Sequence, residues 1–185
     1  MPMMDAEADS MMRAPVEFPL ERETASVNDI LMECTDYRVD KDLGDEEFVV
    51  LLTDVANQLN WFSYGSDSAN DIFIHTEDWH YFMGSDVRFP LVHQVATNIL
   101  QKLMFGNMNK LSTAVHMHPR GCINDFCEQK KDISLKMRTG DICGDCQDIL
   151  KESKVPPAVI NQAIKQLCFD CPRMIFCLAY IAGEV

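Results

Sequence analysis

Four cysteines in one short stretch constrain this chain more than any other feature of its sequence. They follow the spacing Cys122-x4-Cys127-x15-Cys143-x2-Cys146, which is typical of a zinc ion bound tetrahedrally by four thiolates. Four protein ligands leave zinc no open position for water, so a site of this kind stabilises a fold and does not catalyse. The sequence therefore predicts one structural Zn²⁺ ion with these four cysteines as its ligands.

Two other interpretations of these cysteines stay open. Free cysteine is among the most buried residue types, so the thiols could belong to a core, and four thiolates can also hold an iron–sulfur cluster. Gly121, Gly140 and Gly144 lie beside the cysteines and suit tight loops around a metal better than a packed helix face. The glycines therefore favour zinc.

A second cysteine group, Cys168, Cys171 and Cys177, follows later in the chain. One CxxC pair and a third thiol could bind zinc together with a histidine. The surrounding sequence, LCFDCPRMIFCL, is largely apolar, and this favours a buried core. The sequence does not decide whether a second metal binds here or at the histidines.

The composition restricts the partners of the chain. Its 185 residues are 47% hydrophobic, enough for one domain with a sizeable core. A formal net charge of -13 repels nucleic acid and anionic membranes, so we expect neither as a partner. A protein partner is expected instead, and a homo-oligomer is a further option. Eight cysteines without an apolar signal segment favour a soluble protein of the reducing cytoplasm.

The pattern along the chain predicts three parts. Residues 1–24 lack a hydrophobic period and are expected to form a flexible arm whose methionines suit adaptable contacts. Residues 25–155 should form an α+β domain that includes the zinc site, and 156–185 a C-terminal helical extension packed on it.

Two strands and one long helix are predicted inside this domain. The apolar run at 47–53, EFVVLLT, is typical of a buried central strand, and 71–76, DIFIHT, alternates like a second strand. From Phe89 to Met104 the apolar residues recur with the period of an amphipathic helix. Pro90 fits the first turn of that helix and Gly106 its end.

Five histidines could supply a different, open metal site: His75, His80, His93, His116 and His118. A catalytic zinc needs about three protein ligands, a position for water and a carboxylate base, and Glu77 or Asp78 could be that base. No HExxH motif is present. On the long helix His93 is followed by Gln94, which cannot take a proton, and by Thr97, a poor zinc ligand.

The segment 121–150, GCINDFCEQKKDISLKMRTGDICGDCQDIL, resembles the C-terminal zinc half of the archaemetzincins. Members of this zincin family carry a catalytic helix with HExxHxxGxxH, then C-x4-C, a somewhat longer spacer and CxxC. Two strands and a helix carrying His93 precede the cysteines in the family's order. Gln94 and Thr97 replace the motif's glutamate and second histidine, and no third histidine follows at the motif's spacing.

The resemblance implies a single zincin-like α+β domain with a small sheet, a long amphipathic helix and a C-terminal part held by a four-cysteine zinc site. It carries over the structural zinc and not the peptidase activity. We therefore expect a pseudoenzyme, a non-catalytic zinc-binding protein that acts as an interaction or regulatory subunit. The alternative is a zinc-dependent hydrolase with an unconventional histidine ligand set, in which His93 is a ligand and Glu77 the base.

Overall fold

Ser26 and Asp29 begin the first helix with a capping box. The Ser26 hydroxyl accepts a hydrogen bond from the Asp29 backbone N–H at 3.1 Å, and the Asp29 carboxylate accepts one from the Ser26 N–H at 3.3 Å. These two bonds satisfy donors that a helix start leaves free. The helix, α1, spans Val27–Asp40.

The structure is a computed structural model that describes residues 24–84, 86–107, 110–111, 114–128 and 130–167.

Three short strands form one mixed sheet. They are β1 (Val49–Thr53), β2 (Ser63–Gly65) and β3 (Asp71–His75), in the order β1-β3-β2. β1 is parallel to β3, with Val49 opposite Asp71, and β2 is antiparallel to β3, with Ser63 opposite Ile74. The central strand is therefore β3.

Helices cover both faces of the sheet. Phe73 packs with Val27, Ile30 and Leu31 of α1. Ser63, which lies opposite Ile74 in register, bonds to the long helix α3 (Arg88–Phe105) on the other face. Since β3 is covered on both sides, all five of its residues are buried. The α+β class predicted from the sequence is confirmed.

The prediction that 47–53 is the central buried strand is wrong. β1 lies at an edge of the sheet, where Leu52 is 53% exposed. The less apolar segment DIFIH takes the centre, where its polar end Asp71 is paired with Arg38. Hydrophobicity alone therefore misassigned the order of the strands.

A buried ion pair ties α1 to the sheet. Arg38 donates to Asp71 Oδ1 from Nε at 3.2 Å and from Nη2 at 2.5 Å, and these side chains are only 7% and 2% exposed. The remaining guanidinium donors reach the carbonyl oxygens of Gly44 and Glu47. The charges are thus paired and fully hydrogen-bonded, as burial requires.

The long predicted helix is present as α3. A short helix, α2 (Trp79–Met83), precedes it, and α3 spans Arg88–Phe105, one residue beyond each predicted end. Pro90 lies in the first turn, and Gly106 ends the helix with a φ of 75°, which glycine adopts without strain.

Three helices complete the described chain after a 3₁₀ turn at Lys130–Asp132. They are α4 (Ile133–Thr139), α5 (Gly144–Glu152) and α6 (Pro157–Gln166). Ile160 and Leu167 share a core cluster with Leu100, Ile142 and Leu150, so the described start of the predicted C-terminal extension packs on the domain. Residues 1–23 of the predicted arm and the group Cys168, Cys171 and Cys177 lie outside the described residues.

Among the helices that the structure describes, none has the length and apolar character needed to cross a membrane.

Candidate metal centre

One histidine and three cysteines converge at the start of α5. The ligand atoms of His116, Cys122, Cys143 and Cys146 all lie within 4.8 Å of one another. The Sγ atoms of Cys122 and Cys146 are 3.6 Å apart, and His116 Nε2 lies 3.6 Å from Cys146 Sγ and 3.8 Å from Cys143 Sγ. These four residues can hold a metal ion.

The spacing of these atoms fits a tetrahedral zinc site. With Zn–S of about 2.3 Å and Zn–N of about 2.05 Å, tetrahedral angles require S···S of about 3.8 Å and S···N of about 3.6 Å. The sulfur and nitrogen separations above agree with both values to about 0.2 Å. The geometry is therefore compatible with zinc.

Backbone pairing on two sides positions the first cysteine. His116 N–H donates to Asn124 O at 2.9 Å, and Phe126 N–H donates to His116 O at 3.0 Å. On the other side Ile123 N–H donates to Asp141 O at 2.9 Å. The loop 121–125 is thus held between the chain at 116 and the chain at 141.

Gly121 allows this loop to lie close to α4. Its φ is 93°, and a Cβ atom there would lie 2.5 Å from Thr139 Oγ1. Any other residue would meet both strain and a clash. The CxxC pair comes from the helix start itself, because Cys143 is the N-cap of α5 and Cys146 lies in its first turn. The positive end of a helix dipole favours thiolates there.

Asp125 orients the histidine and the loop together. Its Oδ1 lies 3.0 Å from His116 Nδ1, and its Oδ2 accepts from the backbone N–H groups of Arg120, Gly121 and Cys122 at 2.7, 2.6 and 3.1 Å. The carboxylate side chain is fully buried. A proton held on Nδ1 by this carboxylate leaves the Nε2 lone pair facing the sulfurs, as metal-binding histidines require.

Amide and guanidinium donors surround the thiols. Asn124 Nδ2 donates to Cys146 Sγ at 3.2 Å, and Gln101 Nε2 holds Asn124 by donating to its Oδ1 at 3.1 Å. On the exposed side Arg120 Nη2 lies 3.1 Å from Cys143 Sγ and 2.7 Å from His116 Nε2. These donors stabilise negative charge on sulfur.

The pKa values of the closest thiol pair move in opposite directions. The hydrogen bond to Cys146 lowers the pKa of Cys122 to about 5, and the same bond raises the pKa of Cys146. One thiolate at this pair is therefore stabilised by its neighbour.

The structure brings together three of the four predicted ligands and places His116, not Cys127, beside them. Cys127 is half-buried, its Sγ lies 3.8 Å from Asp125 O, and it packs against the cluster of Phe62 and Trp79. Burial raises the pKa of this thiol. Because the chain turns away after the loop 121–125, Cys127 lies outside the group of metal ligands, although the C-x4-C spacing included it. The histidine just before the cysteines and the carboxylate at Asp125 are the signals that could have identified His116.

The other candidate catalytic residues do not converge. His75 and His93 are 3% and 0% exposed, whereas His80, His118 and Glu77 are exposed. Across the described residues, no further group of three or more His, Cys, Asp or Glu side chains has converging ligand atoms. The histidine set of the hydrolase interpretation, with Glu77 or Asp78 as base, is therefore not brought together in that part of the chain.

His93 should make the fold sensitive to acid. Its Nε2 has no hydrogen-bond partner among the described residues, and its Nδ1 lies 3.3 Å from Thr97 Oγ1. Burial, with the charge of Lys136, lowers its pKa to about 3. The unfolded chain takes up a proton below a pH of about 6.5 and the folded chain does not, so stability falls as pH decreases through this window. We expect His93→Gln to reduce this loss by up to about 1.4 kcal/mol per pH unit.

Urea unfolding of the unaltered protein and of His93→Gln between pH 7 and pH 5 measures how the free energy of unfolding of each depends on pH. Both proteins keep the same metal ligands, so the difference between their slopes of unfolding free energy against pH gives the contribution of His93. Equal slopes would show that His93 is already protonated, or equally accessible, in the folded protein.

No protein-family model matches the chain, and neither the curated proteins nor the solved structures contain a match to it. The function must therefore be inferred from the geometry of the site.

Proposed function

We propose that this chain is a zinc-binding protein in which one structural zinc ion cross-links the loop 116–125 to the start of α5. The ligands would be His116, Cys122, Cys143 and Cys146. The observation that carries the proposal is the convergence of these four ligand atoms within 4.8 Å of one another, with the second nitrogen of His116 held by the buried Asp125 carboxylate.

The ligand types favour zinc over other biological cations. Three thiolates and one imidazole are soft and borderline ligands, which magnesium and calcium avoid and zinc prefers. Four protein ligands leave no open position, so zinc here would supply folding free energy and no reactive water.

The surroundings of α3 support a non-catalytic role. Gln94 is 5% exposed and donates to Ser63 Oγ at 2.6 Å, and Thr97 lies against His93. These side chains act as structural hydrogen-bonding groups and offer no general base. We infer a degenerate zincin-like domain, supported by the order of β1, β3 and α3, that works as a protein-interaction or regulatory subunit.

Metal content and activity together test this proposal. Purified protein should contain one zinc per chain by mass spectrometry of metals, and it should not hydrolyse a mixture of unstructured peptides. Two zinc ions per chain, with hydrolysis abolished by a chelator and by Glu77→Gln, would instead support the hydrolase. Zinc-free folded protein would overturn the metal assignment.

A further inference from the structure

A pocket of about 430 Å³ lies beside the loop 116–125, called the metal loop below because it carries His116 and Cys122. One side of the pocket is formed by residues 60–64 and α3. The other side is formed by residues 125–128 and α4. Its volume falls in the range of small-molecule sites, which are largely apolar with a few placed polar groups. Nothing in the proposed structural role of zinc requires such a space.

The pocket contains a buried lysine whose charge is not paired. Lys136 is only 5% exposed and lines the pocket. Within the described residues, no carboxylate oxygen lies within 4.0 Å of its ammonium group, and no acceptor receives a hydrogen bond from it. Burial lowers its pKa. The charges of Cys127, Asp125 and Cys122 attract this ammonium group, but none of the described residues accepts a hydrogen bond from it, so an anion bound in the pocket would supply that bond.

A second buried lysine, Lys102, has its ammonium group hydrogen-bonded within the fold. Lys102 is also 5% exposed. Its ammonium group donates to three backbone carbonyl oxygens, those of Ser66, Ala69 and Gly106. Asp125 attracts the Lys136 charge, but its carboxylate bonds to His116 and to the backbone of 120–122.

A single negative charge matches the pocket. The other lysine at its wall, Lys130, already pairs with Asp78 at 3.2 Å and lies over the Phe62 ring at 4.6 Å. Lys136 is therefore the cation available among the described residues of the wall, which also carries the carboxylates of Asp125 and Glu128. A monoanion suits it better than a polyphosphate, which needs several cations.

The remaining walls suit a flat aromatic ring. Trp61 meets Phe126 edge to face with ring centroids 6.4 Å apart, and Tyr64 lies tilted against Trp61 at 5.5 Å. Aromatic walls favour stacked or edge contacts with another ring.

We propose that this pocket binds a small aromatic carboxylate. The carboxylate would pair with the Lys136 ammonium group, and the ring would lie against Trp61 and Phe126. The proposal goes beyond the zinc site, and it rests on the proposed function only because the metal loop supplies one wall of the pocket.

Calorimetry with 2-naphthoate and its neutral analogue 2-naphthamide tests the charge requirement. The full-length protein should bind the carboxylate at least about tenfold more tightly than the amide, since hydrogen bonds to charged groups contribute about 1.5–3 kcal/mol. Lys136→Met should remove this preference, whereas Lys131→Met, which changes an exposed lysine, should keep it. Equal binding of the two probes by the unaltered protein, or an unchanged preference in Lys136→Met, overturns the proposal.

Zinc content measured on each sample separates this proposal from the structural zinc. Zinc-loaded protein that binds neither probe overturns the pocket and leaves the metal site intact. Zinc-free protein that binds naphthoate overturns the metal site alone.

If Lys136→Met does not fold, Trp61→Leu at the opposite wall is the second variant. It should weaken binding of both probes by about tenfold, and no weakening would count against the pocket.

Discussion

Cys146→Ser should abolish zinc retention and leave the protein insoluble or strongly destabilised, whereas Cys127→Ser should keep its zinc. Structural zinc contributes on the order of 10 kcal/mol, comparable with the whole stability of a domain, about 5–15 kcal/mol. Cys146 is 1% exposed and lies 3.6 Å from two other ligand atoms. A serine hydroxyl is a poor zinc ligand, so the site would lose one of its four ligands.

Metal analysis and thermal melting of both variants decide this prediction. Cys127→Ser is a matched control because both cysteines belong to the same spacing pattern and only one faces the cluster. Zinc loss from both variants would mean that Cys127 is a ligand, as its position in the sequence first indicated. Zinc retention by Cys146→Ser with an unchanged melting temperature would remove the metal site altogether.

Asp71→Ala should destabilise the fold by about 3–5 kcal/mol, because it leaves the buried Arg38 charge uncompensated. The two side chains are 7% and 2% exposed and bonded at 2.5 Å. The exposed pair of Asp86 with Arg88 provides the control, with side chains 58% and 78% exposed. Asp86→Ala should cause no measurable change, since surface ion pairs contribute little.

Urea unfolding of the single variants and of the double variant Arg38→Met/Asp71→Leu tests the cause. The double variant should recover much of the lost stability, because apolar replacement of both charges removes the unpaired one. If Asp71→Ala unfolds at the same urea concentration as the unaltered protein, the pair does not hold α1 on the sheet.

Local patterns in the sequence predicted the long helix α3, but not the helix α1. The apolar period of α3 and the glycine that ends it depend on neighbouring residues alone, and so does the start of α5 at the CxxC pair. The same local pattern predicted Cys122, Cys143 and Cys146 as members of one cluster.

Contacts between distant residues could not be predicted in this way. The fourth member of the cluster depends on how the chain at His116 pairs with 124–126, and spacing between cysteines carries no information about that pairing. The order of the strands likewise depends on Arg38, which neutralises Asp71 from 33 positions away. The burial of Lys136 could not be predicted from its neighbours in the sequence either, because burial is a property of the assembled fold.

X-ray absorption at the zinc edge of the purified protein measures the ligands of the metal themselves. Zinc bound by His116 and three cysteines should show three sulfur neighbours at about 2.3 Å and one nitrogen at about 2.0–2.1 Å. His116→Ala should remove the nitrogen signal, and Cys127→Ser should leave the spectrum unchanged. Four sulfur neighbours in the unaltered protein, with one lost in Cys127→Ser, would contradict the site described above.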